Sequence, residues 1–152
     1  MNNFFLKTNR LIFLSISFII TTILSLTISY VLFLIHPNEN DTGFTSEKIT
    51  VEIIISLLIA PVIETAFFFT LVFLMTKYLK KNIIYFILIS SILFGLSHFY
   101  SVDYILYSFF IGIVLSIFYT ISEKRNQGDG FLDVTIIHSL YNLVILIGKH
   151  FF

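Results

Sequence analysis

Long apolar runs without a charged side chain restrict how this chain can fold more than any other feature. Residues 11–35 contain no Asp, Glu, Lys or Arg, and about 20 consecutive apolar residues suffice for a transmembrane helix. A signal peptide also begins with basic residues, as this chain does with Lys7 and Arg10. Its apolar region, however, covers only about 7–15 residues. The first run therefore predicts a retained transmembrane helix.

Composition indicates the same class for the whole chain. Of its 152 residues, 57% are hydrophobic and only 12% are charged, whereas about a quarter of a soluble domain is charged. The absence of cysteine excludes disulfides, thiolate metal ligands and a cysteine nucleophile. We therefore expect one all-α integral membrane domain over residues 1–152, surrounded by lipid and without a nucleic-acid partner.

The apolar runs predict a bundle of about five transmembrane helices, at residues 11–35, 49–76, 83–99, 104–121 and 131–148. If the N-terminus is cytoplasmic, seven of the nine basic residues lie on the inside, as the positive-inside rule requires. These seven are Lys7, Arg10, Lys77, Lys80, Lys81, Lys124 and Arg125. Frequent Ile, Phe, Asn and Lys are compatible with an AT-rich bacterial genome, so we expect a bacterial cell membrane.

The second run combines excess length with a proline. As one straight helix it would measure about 42 Å, against a hydrocarbon core of about 30 Å. Pro61 removes a backbone donor and clashes with the preceding turn. The sequence predicts a kinked or broken helix, with Glu64 in the first turn after the break.

Small residues recur at a spacing of four in the next two runs. Ser91 and Gly95 share one face, as do Ser108, Gly112 and Ser116. Such faces let helices approach closely in lipid, so the third and fourth spans are predicted to pack against each other.

Three ionisable side chains lie deep in separate apolar runs: Glu64, His98 and His138. Intramembrane charges are costly unless they face a partner or a wet cavity, so these residues are candidates for a functional site. Phe94 precedes His98 by four residues, and Asn142 follows His138 by four, which places each pair on one helix face.

These motifs resemble the CPBP (Abi) family of intramembrane glutamic endopeptidases, which includes CAAX proteases and bacteriocin-processing enzymes. The family pattern is Glu-Glu-x-x-x-Arg, often after Ala-Pro, then Phe-x-x-x-His and His-x-x-x-Asn on successive helices. Here Ala60-Pro61-x-x-Glu64, Phe94-x-x-x-His98 and His138-x-x-x-Asn142 match in that order. Thr65 and Phe69 replace the second Glu and the Arg. If that pair normally forms an ion pair, losing both members costs much less than losing one.

The resemblance implies a role for each matched residue. Glu64 and His98 would bind and deprotonate the attacking water, His138 and Asn142 would form the oxyanion hole, and Phe94 would shape the substrate pocket. The implied substrate is a hydrophobic or membrane-associated peptide or protein, in bacteriocin processing or self-immunity. No metal or other cofactor is expected.

Other interpretations remain open from the residues alone. Glu64 could be a structural carboxylate, His98 could lie at the membrane interface, and His138 and Asn142 could join helices by hydrogen bonds. A zinc site of two His and one carboxylate is a further alternative, although the H-E-x-x-H arrangement is absent. The whole protein could also be a non-catalytic bacteriocin-immunity protein of the same fold.

Simple helix lengths do not bring the candidate residues to one depth. Along straight helices His98 falls near the outer end of its span, whereas His138 lies only about 10 Å from the inner start of its own. Either the third span is tilted and does not fully cross, or the fifth begins deeper. Glu52 and Asp133 are expected at the interfaces, Glu52 as a solvated acid and Asp133 as a helix N-cap.

Overall fold

Six helices make up nearly all of the described chain. The computed structural model describes residues 3–37, 48–125 and 129–151. We number the helices α1 (Asn3–Lys7), α2 (Arg10–Ile35), α3 (Ile49–Tyr78), α4 (Ile83–Ser97), α5 (Val102–Glu123) and α6 (Gly130–Phe151). No strand is present in the described ranges. The segments between the first and second predicted spans and between the fourth and fifth include residues 38–47 and 126–128, which lie outside the described residues.

Four of the helices, α2, α3, α5 and α6, are long and apolar enough to cross a membrane. The fifth apolar helix, α4, is shorter and ends at Ser97, two residues before the end of the predicted span 83–99. Large apolar side chains cover the outward faces of α2 and α3, which suits a surface in contact with lipid. The predicted all-α membrane bundle is therefore confirmed, and the protein is a multi-pass membrane protein.

Polar side chains set where the helices begin. Asn9, Asn82 and Ser101 each accept a hydrogen bond from a backbone N–H in the first turn of α2, α4 and α5, as N-cap residues do. Asp129 accepts from Leu132 N at the start of α6. Asp133, expected to be an N-cap, has a different role that is described below.

The α3 helix passes through Pro61 without a break. Two π-helical segments, Ile55–Ile59 and Thr65–Leu71, flank the α-helical turn Ala60–Glu64. A π turn contains one more residue than an α turn and often marks a functional site. Of the two predicted outcomes, a broken helix is wrong, because wider turns accommodate the proline while the backbone remains helical; a kink stays a prediction.

The α4 and α5 helices pack closely through their small residues. A Cβ on Gly112 would lie 3.0 Å from the Ser91 Cα, and a Cβ on Gly95 would lie 3.0 Å from the Phe109 Cβ. Ser108 and Ser116 are buried. The predicted close approach of these two helices is confirmed, and this contact fixes where α4 holds the side chains at its end.

Charged residues gather at the two ends of the bundle. At one end Arg10 Nε donates to Asp133 Oδ1 at 2.7 Å, and Ser122 donates to Asp133 Oδ2 at 2.5 Å. The expected N-cap role of Asp133 is wrong, since its buried carboxylate joins α2, α5 and α6. At the other end His36 Nδ1 lies 2.8 Å from Asp103 Oδ1.

Candidate active site

The side chains of Glu64, His98 and His138 meet inside the bundle. Glu64 Oε1 lies 3.9 Å from His98 Nε2, and Glu64 Oε2 lies 3.5 Å from His138 Nε2. They come from α3, from the residue after α4, and from α6. The structure therefore brings the three candidate residues together, while their chemical roles stay predictions.

The three side chains meet although straight helices place them at different depths. A Cβ on Gly130 would lie 2.8 Å from the Tyr119 ring, which packs 5.6 Å from Phe86. The start of α6 therefore packs on the Tyr119 side chain of α5, which also contacts α4.

The His98 side chain packs on the aromatic rings beside it. It folds back over the preceding turn, with its ring 4.6 Å from the ring of Phe94, which in turn lies 5.5 Å from the His138 ring. Phe94 thus links the two imidazoles, while the tilt of the third span and the starting depth of the fifth stay predictions.

The hydrogen bonds of His98 fix which ring nitrogen faces Glu64. His98 Nδ1 lies 2.7 Å from the Phe94 carbonyl oxygen. A carbonyl can only accept, so Nδ1 carries the hydrogen. In the neutral ring Nε2 is then an acceptor, and this atom is directed at the Glu64 carboxylate.

His138 is held by aromatic packing. It is 1% exposed, stacks on Tyr141 with ring centroids 5.3 Å apart, and meets the Phe94 ring at an interplanar angle of 69°. Among the described residues, neither His138 Nδ1 nor Glu64 Oε2 has a hydrogen-bond partner. The ring is thus oriented by shape, and its Nε2 remains directed at Glu64.

Phe94 lies behind the two imidazoles. It is fully buried and packs against the rings of Phe68, Phe69, His98 and His138. Its contacts are those of a packing residue that orients both histidines. Direct contact with substrate, as expected for a pocket residue, stays a prediction.

Asn142 is bonded to α3. Its Nδ2 donates to the Ser56 carbonyl oxygen at 2.8 Å. An amide nitrogen carries two hydrogens, so this bond still leaves one for another acceptor. Its role as an oxyanion donor stays a prediction.

A cavity of about 300 Å³ adjoins these residues. Its walls include Glu64, His98, His138 and Asn142, together with Ser56, Tyr104, Tyr141, Glu52 and Lys149. A second cavity of about 480 Å³ shares Tyr104, Tyr141, Asn142, Ile145 and Lys149 with it. A carboxylate, two imidazoles and an amide therefore surround a space that can hold a short peptide segment.

A family model described as type II CAAX prenyl endopeptidase Rce1-like matches residues 46–144, about two thirds of the chain. This chain belongs to the Rce1-like family. At the family level it is thus a CAAX-type intramembrane protease, and the predicted relation to the CPBP family is confirmed. The match begins just before α3 and includes Glu64, Phe94, His98, His138 and Asn142. A search of curated proteins and a search of solved structures found no significant match.

The two departures of this Rce1-like chain from the expected motif are both buried. Phe69, at the Arg position, is fully buried and lies 5.5 Å from the Phe94 ring. Thr65, at the second Glu position, is also fully buried, and its hydroxyl has no hydrogen-bond partner in the described part of the chain. Apolar packing occupies the place where an ion pair is expected, so no single charge is left buried there.

Metal binding finds no further support in the geometry. Within residues 3–37, 48–125 and 129–151, no group of three or more His, Cys, Asp or Glu side chains is arranged to hold a metal ion. The expected absence of a cofactor stays a prediction.

Glu52 differs from its sequence-based expectation. It is 2% exposed, with Oε1 2.5 Å from Lys149 Nζ and Oε2 3.3 Å from His150 Nε2. The expectation of a solvated carboxylate is therefore wrong. The sequence did not reveal the two partners, because they lie nearly a hundred residues later, on the last turns of α6.

Tyr141, which stacks on His138, was also missed. Its position three residues after His138 places it on the same helix face.

Proposed function

We propose that this Rce1-like protein is an endopeptidase that cleaves a membrane-associated peptide or protein inside the membrane. One observation carries the proposal: the Glu64 carboxylate lies 3.9 Å from His98 Nε2 and 3.5 Å from His138 Nε2 beside a cavity. The distance to His98 is too long for a direct hydrogen bond. It suits a water molecule held by both groups.

Each group then has a defined step. Glu64 accepts a proton from the water, and His98 Nε2 accepts a hydrogen bond from the water's second hydrogen. The oxygen attacks the peptide carbonyl, whose developing negative charge is stabilised by donors from His138 and Asn142. Collapse of the tetrahedral intermediate breaks the C–N bond, and Glu64 returns its proton to the leaving amine. No serine or cysteine nucleophile is required.

The substrate class follows from the surroundings of the site. The cavity lies among apolar helices, so a hydrophobic peptide or a membrane-protein segment reaches it most readily. Since bacteria have no prenyl-cysteine system, we propose bacteriocin processing or self-immunity in a bacterial cell membrane, with a cytoplasmic N-terminus.

Comparison of peptide termini in cells tests the proposal without a known substrate. Membrane and secreted peptides are sequenced by mass spectrometry from cells that express the wild type, Glu64→Gln or His98→Ala at matched levels. We expect new termini in the wild type only. The same termini in all three samples would exclude proteolysis at this site.

A second candidate is a non-catalytic immunity protein that sequesters a bacteriocin or masks its receptor. Thr65 and Phe69 favour it, because they remove two polar groups of the family motif from beside the site. Expression in a bacteriocin-sensitive host separates the two candidates. If Glu64→Gln and His98→Ala protect as well as the wild type, immunity does not depend on catalysis.

A further inference from the structure

Pro61 leaves one carbonyl of α3 without a helical donor. In the π segment before it, the Ala60 N–H donates to the Ile55 oxygen, not to Ser56, which is its usual partner four residues back. The next donor would be residue 61, but proline has no N–H. The Ser56 oxygen therefore needs a partner from outside its own helix.

Asn142 provides that partner from α6, at an Nδ2–O distance of 2.8 Å. We propose that Asn142 is a positioning residue: its amide replaces the N–H that Pro61 lacks and so holds the π turn that directs Glu64 into the site. The link to catalysis rests on the proposed function, whereas the link to the π turn does not.

The π turn determines which way Glu64 faces. In a straight α-helix, residues 52 and 64 would differ in direction by about 120°. A π turn absorbs one extra residue, which lowers this difference to about 20°. Glu52, Ser56, Ala60 and Glu64 all line the same cavity, as this reduced angle requires. If α3 returned to the α pattern before Glu64, that side chain would rotate by about 100° relative to Glu52.

The same face of α6 carries both contacts to α3. His138 lies against Glu64, and Asn142, one turn later, lies against Ser56. The His-x-x-x-Asn spacing therefore fixes two points of α3, one on either side of Pro61.

A stability cycle tests the claim on the purified full chain in detergent. Asn142→Leu is compared in the Pro61 and Pro61→Ala backgrounds by titration with a denaturing detergent. In the first background we expect the unfolded-to-folded ratio to rise about tenfold, because a part-buried carbonyl loses its donor. In the second background the residue 61 N–H is available, and the change should be much smaller.

Ser139→Ala is the matched control on α6. Its hydroxyl donates to the Thr135 carbonyl, which already has a helical donor, so the effect should be the same in both backgrounds. Equal losses from Asn142→Leu in the two backgrounds would overturn the proposal. If Asn142→Leu alone does not fold, a folded double variant supports the proposal, and an unfolded double variant overturns it.

The direction in which side chain 64 points can be measured separately. It would not change if the bond from Asn142 to Ser56 only stabilised the fold. Because the chain has no cysteine, Glu64→Cys introduces a single thiol beside the cavity. With Pro61 and Asn142 both replaced, α3 can return to the α pattern, so reaction with a water-soluble methanethiosulfonate should slow severalfold. An unchanged rate in a stably folded double variant would overturn the proposal. Neither measurement depends on cleavage, so failure of the proposed function would be seen separately.

Discussion

At the scale of single residues, two carboxylates on one helix have opposite surroundings. Glu52 contacts Lys149 and His150, whereas Glu64 Oε2 has no hydrogen-bond partner among the residues described. Removing one member of a buried ion pair is costly, which gives Glu52 a structural role, whereas Glu64 Oε2 is available for chemistry. The motifs identified Glu64, but they could not identify the environment of Glu52, because its partners are distant in sequence.

Phe69→Arg should destabilise the protein strongly, because it buries a guanidinium against Phe94. Breaking a buried pair by omitting one member costs about 3–5 kcal/mol. Thr65→Glu added to Phe69→Arg supplies the missing partner and should recover much of the stability. Thermal unfolding in detergent measures both variants, with Phe69→Leu as the control for loss of the ring. A double variant no more stable than Phe69→Arg alone would show that residues 65 and 69 do not face each other.

At the scale of helices, periodicity and small-residue spacing predicted which elements exist and how α4 meets α5. They could not predict the path of α3 through Pro61, because the outcome depends on Asn142 of α6, 81 positions later in the printed sequence. The meeting of Glu64, His98 and His138 could not be predicted from helix lengths either, because straight helices place the two histidines at different levels.

Gly112→Ala should weaken the α4–α5 contact. The added methyl would lie 3.0 Å from the Ser91 Cα, and backbone cannot move aside cheaply, so we expect a loss of about 1–3 kcal/mol. Gly148→Ala is the matched control, since a Cβ there meets nothing within 4 Å and helix propensity favours alanine by about 0.5–1 kcal/mol. Detergent-denaturation midpoints compare the two. Equal effects would mean that α4 and α5 are not in close contact.

At the scale of the whole molecule, the charge distribution agrees with a bundle that crosses a bilayer. Arg10, Asp133 and Ser122 join helices at one end, and Glu52, Lys149 and His150 join them at the other. Hydropathy was sufficient to predict the all-α membrane class. The pairing within each end could not be predicted, because it joins residues from opposite parts of the chain.

Labelling of single cysteines in the cysteine-free chain tests the orientation. With the N-terminus inside, Pro37→Cys should react with a membrane-impermeant maleimide in intact cells, whereas Lys80→Cys should react only after lysis. The reverse pattern would place the N-terminus outside. Pro37 follows α2, Lys80 follows α3, and both residues are exposed. Steric protection therefore does not account for a difference in labelling between them.

The most direct test of the central claim measures stability and cleavage together for Glu64→Gln and Glu52→Gln. Glu64→Gln should keep the wild-type denaturation midpoint, because Glu64 Oε2 has no hydrogen-bond partner among the described residues and an amide fits the same space, and it should produce none of the wild-type cleavage termini. Glu52→Gln should lose about 1.5–3 kcal/mol of stability with its charged hydrogen bonds while the folded fraction still produces those termini. Two results would contradict the assignment of Glu64 as the catalytic carboxylate. One is that Glu64→Gln still produces the wild-type cleavage termini. The other is that it loses these termini only in proportion to the fraction of protein that unfolds.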